Sequence, residues 1–151
     1  MYYFRCKTIF MKRTATAHWK GNLKEGKGEI STQSTVLNQT QYSFNTRFAD
    51  GVGTNPEELL GASHAGCFTM AVSAALTQAG FTPGDLNTTA VVELDPAAGP
   101  KITSIALELK ASVIEGLPED KFLEIAKGAK ENCPISKALA ATPITLNVVY
   151  Q

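Results

Sequence analysis

The chain has 151 residues, 44% of them hydrophobic and 19% charged, with 14 basic residues balanced by 14 acidic ones. That length fits one domain with a substantial core, and a net charge of zero removes the electrostatic reason to expect nucleic acid or an anionic membrane as a partner. Cys6, Cys67 and Cys133 stand in no CxxC or CxxH array, which argues against a disulfide framework or a zinc ribbon and for reduced thiols in a cytoplasmic protein.

Residues 1–10, MYYFRCKTIF, show no strand alternation, no apolar signal core and no small-residue cleavage site, so they do not read as a secretory signal. They are expected to be a disordered arm or an upstream-start artefact, with a single domain over residues 11–151. The β-formers of TATAHWKG mark a first strand, residues 28–36 a second and residues 41–48 a third, where Tyr42, Phe44 and Thr46 alternate. This places Arg47 at a strand end, just before the turn-rich ADGVGTNP.

Residues 54–80 then read as one long helix around which the rest of the chain is organised. Asn55 and Glu58 form a capping-box pattern, Pro56 suits the first helical position, Glu57 and Glu58 face the positive end of the dipole, and Gly80 followed by Pro83 closes the helix. From Ala65 to Ala79 the side chains are apolar or small on nearly every side, which predicts burial on several sides and places Cys67 deep in a packed layer. Glu57, Glu58, His64, Thr69, Ser73 and Gln78 interrupt the run, so a membrane span is not expected.

Two strands, residues 87–95 and 101–114, follow the helix. Residues 118–132 make an amphipathic helix, Pro134 opens a short one, and residues 143–150 form a last strand. The expected class is α+β in the order β-β-β-α-β-β-α-α-β. A central helix apolar on several sides needs more cover than one small sheet supplies, so a homodimer completing the core is expected.

A lone buried cysteine is usually inert packing, but polar groups converge on Cys67. His64 is three residues earlier on the same helical face, Glu57 is nearly three turns earlier toward the same side, and Arg47 stands at the helix entrance. A guanidinium beside Cys67 would favour its thiolate, and Glu57 could hold that guanidinium by a bidentate pair. Cys133 precedes Pro134 at a helix start, where free amides also favour a thiolate. Two such cysteines without metal spacing suit a dithiol–disulfide cycle, of which peroxide reduction is the simplest.

At these residues, in HWKG, GKGEIST, YSFNTRF, GTNPEELLGASHAGCFTMA, AGFTP and NCPISKAL, the chain resembles the OsmC/Ohr family of thiol-dependent peroxidases from about Met11 onward. The resemblance implies an intertwined homodimer with long helices lying between sheets built from both subunits. It implies Cys67 as the peroxidatic thiol, Cys133 as the resolving thiol, and Arg47 and Glu57 as the pair that activates and orients Cys67. It implies no cofactor and no metal, but a hydroperoxide substrate and an external dithiol reductant, a part that lipoyl groups play in the Ohr branch. Leu60, Phe68 and Met70 around Cys67 would favour organic hydroperoxides or serve as ordinary core. The competing readings are a zinc-binding or redox-sensing module built on His18, His64, Cys67 and Cys133, and a structural stress protein whose thiols are incidental; Cys6 has no argued role.

Overall fold

A computed structural model describes residues 10–97 and 99–151; residues 1–9, including Cys6, lie outside them. The chain divides into two compact units, Met1–Asn55 and Pro56–Gln151.

The first unit is an antiparallel meander of β1 (Ala15–Lys20), β2 (Lys27–Thr32) and β3 (Thr40–Tyr42) in that spatial order. Gly28 is the register partner of both Trp19 and Tyr42, whose rings lie 5.4 Å apart. A Cβ at Gly28 would run into both rings, so the bare backbone is what lets the two aromatics close over the middle strand. β2 ends at Thr32, short of the expected residue 36, because the chain turns through Thr35 and Gln39, both at positive φ.

The third strand is likewise shorter than expected. At Ser43 the backbone leaves the sheet: the Ser43 hydroxyl accepts from the Thr46 amide at 3.2 Å, and Thr46 Oγ1 accepts from the Ser43 amide at 2.8 Å. This reciprocal cap opens a short helix, α1 (Phe44–Phe48), so Arg47 lies in a helical turn and not at a strand end. Phe44, which alternates with Tyr42 and Thr46 as in a strand, instead pairs with Phe48 at helical i,i+4 spacing with centroids 4.9 Å apart.

The second unit consists of α2 (Pro56–Gln78), β4 (Leu86–Asp95), β5 (Lys101–Ala111), α3 (Glu119–Asn132), α4 (Pro134–Ala138) and β6 (Ile144–Tyr150). The class is α+β as expected, with α1 added to the order. β4 and β5 are antiparallel, whereas β6 lies parallel to β5, a pairing that needs the crossover supplied by α3 and α4. β5 is central and turns Ile105, Leu107, Leu109 and Ala111 inward. Leu107, Leu109 and Ala111 cluster with Phe68, Val72 and Leu76 of α2 and Phe122, Ala126 and Ala129 of α3. Tyr150 ties the last strand to the start of α3: its ring stacks on Phe122 at 4.2 Å, and its hydroxyl takes the Ile114 amide at 2.7 Å.

Within the chain α2 is buried along one stripe only, Gly61, His64, Phe68, Val72 and Leu76, and not on several sides. Its remaining apolar surface, with Met70 75% exposed, has no covering element in its own unit. By length and composition α2 would span a membrane, but its buried stripe forms part of the core of this unit.

Candidate active site

Cys133 sits where two helices meet. Its amide donates to the Ala129 carbonyl at 2.9 Å, closing α3, and its carbonyl accepts from the Lys137 amide at 3.0 Å, starting α4. The following proline dictates this corner, since a residue before proline is pushed out of the helical region; Cys133 has φ −60° and ψ 123°. Pro134 then takes the first helical position, where its missing N–H costs nothing.

The corner brings the Cys133 sulfur 3.1 Å from that of Cys67 on α2, and both thiols are free. The two residues differ in access. Cys133 is fully buried, whereas Cys67 is only half-buried and so is not set as deep as the sequence reading places it. They differ in proton affinity as well. Burial pushes the Cys67 thiol up, and the hydrogen bond to Cys133 adds to this, against one opposing bond from the Ile135 amide. Burial also acts on Cys133 but is outweighed there by the Ser136 amide, the Cys67 thiol, the Ser136 hydroxyl and the Ile135 amide, so its pKa falls below that of an ordinary thiol. The expectation of a low pKa at this helix start holds for Cys133, and within this pair it is Cys133, not Cys67, that ionises more readily.

A second link runs beside the first. His64 Nε2 lies 2.8 Å from Ser136 Oγ, both residues being buried. His64 precedes Cys67 by three residues and Ser136 follows Cys133 by three, so two matching i,i+3 pairs meet across the gap between α2 and α4. Ser136 is missing from the sequence reading; the i+3 spacing after Cys133 is the signal that would have raised it. Burial lowers the His64 pKa, which favours the neutral ring.

Glu57 stands in the first turn of α2, and Arg47 is carried by α1 of the other unit, its guanidinium 5.3 Å from the Phe48 ring centroid. Phe68 is consumed by the core, Leu60 is half-buried and Met70 is exposed. Among the described residues no three His, Cys, Asp or Glu side chains gather in a group that could hold a metal, so the zinc reading finds no ligand set there.

An α+β chain that holds two free thiols in contact, one buried and one reachable, has the architecture of a cysteine redox protein. The chain belongs to the OsmC family: the family model described as OsmC-like protein matches residues 49–149. Peroxiredoxin OsmC of Escherichia coli strain K12 is 53% identical over 132 residues, which span 87% of this chain and 91% of that protein. Organic hydroperoxide resistance protein-like 1 of Staphylococcus epidermidis is 27% identical over 84% of this chain and 90% of its own length. Among solved structures, the organic hydroperoxide resistance protein OhrB of Bacillus subtilis superposes with a TM-score of 0.70 at 27% identity, covering 90% of this chain and 98% of that one.

Proposed function

We propose that the chain is a thiol-dependent peroxidase that reduces organic hydroperoxides, and hydrogen peroxide less well, to alcohols and water. The observation that carries this reading is the 3.1 Å approach of Cys67 and Cys133 as free thiols. The half-buried Cys67 is the sulfur that a peroxide from solution meets first, so it takes the peroxidatic role. Its thiolate attacks the terminal peroxide oxygen, the O–O bond breaks, and the alkoxide leaves as an alcohol after taking a proton. The Cys67 sulfenic acid then condenses with Cys133, giving a disulfide and water.

The local bias of ionisation toward Cys133 means that Cys67 needs a further cation to react as a thiolate. Arg47, oriented by Glu57, is assigned that part, steadying both the thiolate and the developing alkoxide. The resemblance to the OsmC/Ohr family supports this assignment, and the relatives' names support the peroxidase reading. No cofactor enters the cycle; an external dithiol, such as a lipoyl-bearing protein, reduces the disulfide. A cytoplasmic homodimer fits the reduced thiols and the uncovered faces of α2.

The test is peroxide consumption with cumene hydroperoxide and with hydrogen peroxide, followed by mass spectrometry after one equivalent. Wild type is expected to turn over faster with the organic substrate and to accumulate a Cys67–Cys133 disulfide. Cys67→Ser should be inactive, and Cys133→Ser should consume about one equivalent and stop as the sulfenic or sulfinic acid. Full turnover by Cys133→Ser with a dithiol would remove the resolving role, and a sulfenic acid on Cys133 in Cys67→Ser would reverse the two assignments.

A further inference from the structure

Beside the thiol pair a second contact crosses from α2 to the corner between α3 and α4, and the proposed cycle gives it no task. His64 Nε2 lies 2.8 Å from Ser136 Oγ, three residues before Cys67 on one side and three after Cys133 on the other. The contact is buried, with His64 at 0% exposure and Ser136 at 7%, and His64 Nδ1 has no hydrogen-bond partner. Burying a ring with one nitrogen unpaired costs stability, and an apolar pair of similar shape would hold the two elements together about as well. What an apolar pair lacks is direction. It can slide, whereas a short polar bond closes at one separation and one orientation.

The segment that carries Ser136 has need of such a fixture. Cys133 is held on one side by α3, where its amide donates to the Ala129 carbonyl, and on the other by α4, where its carbonyl accepts from the Lys137 amide. α3 is fixed by Phe122, Ala126 and Ala129 in the core, but α4 has five residues, too few to keep a helical shape unaided. The sulfur contact cannot steady α4 through a redox cycle, because it is the contact that changes, from two thiols to a sulfenic acid facing a thiol and then to a disulfide. Neither His64 nor Ser136 exchanges electrons, so their bond can stand in all three states. We propose that His64 and Ser136 are positioning residues: their buried bond pins α4 to α2 and so keeps the Cys133 sulfur within bonding reach of the Cys67 sulfur. Either direction of the bond serves, since a neutral imidazole and a hydroxyl can each donate or accept. The use of this alignment in resolving a sulfenic acid rests on the peroxidase reading; the pinning does not.

The test measures the effective concentration of one thiol at the other by equilibrium with glutathione. Two glutathione thiols give two electrons and two protons to the protein disulfide, leaving two protein thiols and one glutathione disulfide, and the balance reports how well the fold aligns Cys67 with Cys133. In a Cys6→Ser background these are the only cysteines, and alkylation after acid quenching counts the free thiols by intact mass. Ser136→Ala removes the bond with the least disturbance, and His64→Leu/Ser136→Ala replaces it by an apolar pair. Each should lower the effective concentration about tenfold, which raises the reduction potential of the pair by about 30 mV. His64→Gln, whose amide can meet Ser136 as donor or acceptor, should stay within about twofold of wild type. If the bond served packing alone, the double variant, which leaves neither partner unpaired, would keep the wild-type value. That result, an unchanged Ser136→Ala, a glutamine variant as weak as the double one, or a wild-type pair that glutathione disulfide leaves as thiols would overturn the proposal. No peroxide is added, so the two readings separate. Equal equilibria in a protein that consumes peroxide remove the pinning and leave the peroxidase, and shifted equilibria in a protein that consumes none do the reverse.

Discussion

The two units of the chain solve the folding problem with different materials. Pro56–Gln151 has a hydrophobic core in which Phe68, Leu76, Ile105, Leu107, Leu109 and Phe122 are fully or almost fully buried. Among the described residues of Met1–Asn55 no large apolar side chain is buried: Trp19, Tyr42, Phe44 and Phe48 are all partly exposed, and the buried positions are Gly26, Gly28, Thr46 and Thr54. The first unit is held instead by ladder hydrogen bonds, aromatic pairs and the Ser43–Thr46 cap. A three-stranded sheet without a buried apolar face is marginal in water, so it is the second unit that supplies the rigid frame for the thiols.

Phe122→Ala gives the largest expected effect. It empties a fully buried site and removes the stack on Tyr150, and it should destabilise the protein by about 3–5 kcal/mol in urea unfolding. The matching truncation in the first unit, Phe44→Ala, removes a half-buried ring and should cost about 1 kcal/mol. Equal losses would show that the first unit has a core of comparable weight, and the contrast would be broken.

Arg47→Ala asks whether a residue of the first unit contributes to the chemistry. By the proposed role it should slow peroxide consumption by about a hundredfold, the usual loss when one preorganised electrostatic partner is removed, and raise the Cys67 pKa with folding largely intact. Unchanged peroxidase and alkylation rates would take Arg47 out of the site.

How much of this was legible in the sequence follows the same divide. In the second unit local signals agree with packing: Pro56 and Gly80 bracket α2, the alternation from Ile105 to Ala111 is the buried face of β5, and Pro134 marks the corner at Cys133. In the first unit the same residues satisfy two periods. Phe44 and Thr46 alternate like a strand, and only the hydroxyl exchange between Ser43 and Thr46 decides for a helix; a cap built from Ser and Thr lacks the carboxylate that usually announces one. Depth was the other quantity that pattern could not supply. An all-round apolar helix reads as buried everywhere, but how much of it is covered depends on the elements at hand, and one sheet face and α3 reach a single stripe. The His64–Ser136 bond was hidden because its two members are far apart in sequence, and each spacing, His64 to Cys67 and Cys133 to Ser136, points only to a cysteine and not to the other member.

Gly28→Ala sharpens the account of the first unit. The added methyl would meet the Trp19 and Tyr42 rings, so those aromatics must move off the middle strand. Overpacking of this kind typically costs about 1–3 kcal/mol. The change should also perturb the near-ultraviolet circular dichroism of the Trp19–Tyr42 pair while leaving the Cys67–Cys133 contact in place. A neutral effect would mean that the aromatic pair does not organise this sheet.

The smallest expected effect is at Gly66, in the second unit next to Cys67. A Cβ built there meets no atom within 4 Å, and the backbone is helical, so nothing in the chain itself requires glycine. Replacing glycine by alanine inside a helix removes conformational freedom from the unfolded state and should stabilise the protein by up to about 1 kcal/mol. The face on which Gly66 lies is part of the apolar surface of α2 that its own unit leaves uncovered. In the proposed homodimer a second copy covers that surface, and the sign of the effect then reports how closely it approaches. A gain at every protein concentration means that the partner, if it packs there, leaves room for a methyl group. Urea midpoints measured across a hundredfold range of concentration separate the cases, since a dimer-linked loss weakens as the protein is diluted and the helix-propensity gain does not. A loss at high concentration that turns to a gain on dilution would place a second copy directly against Gly66.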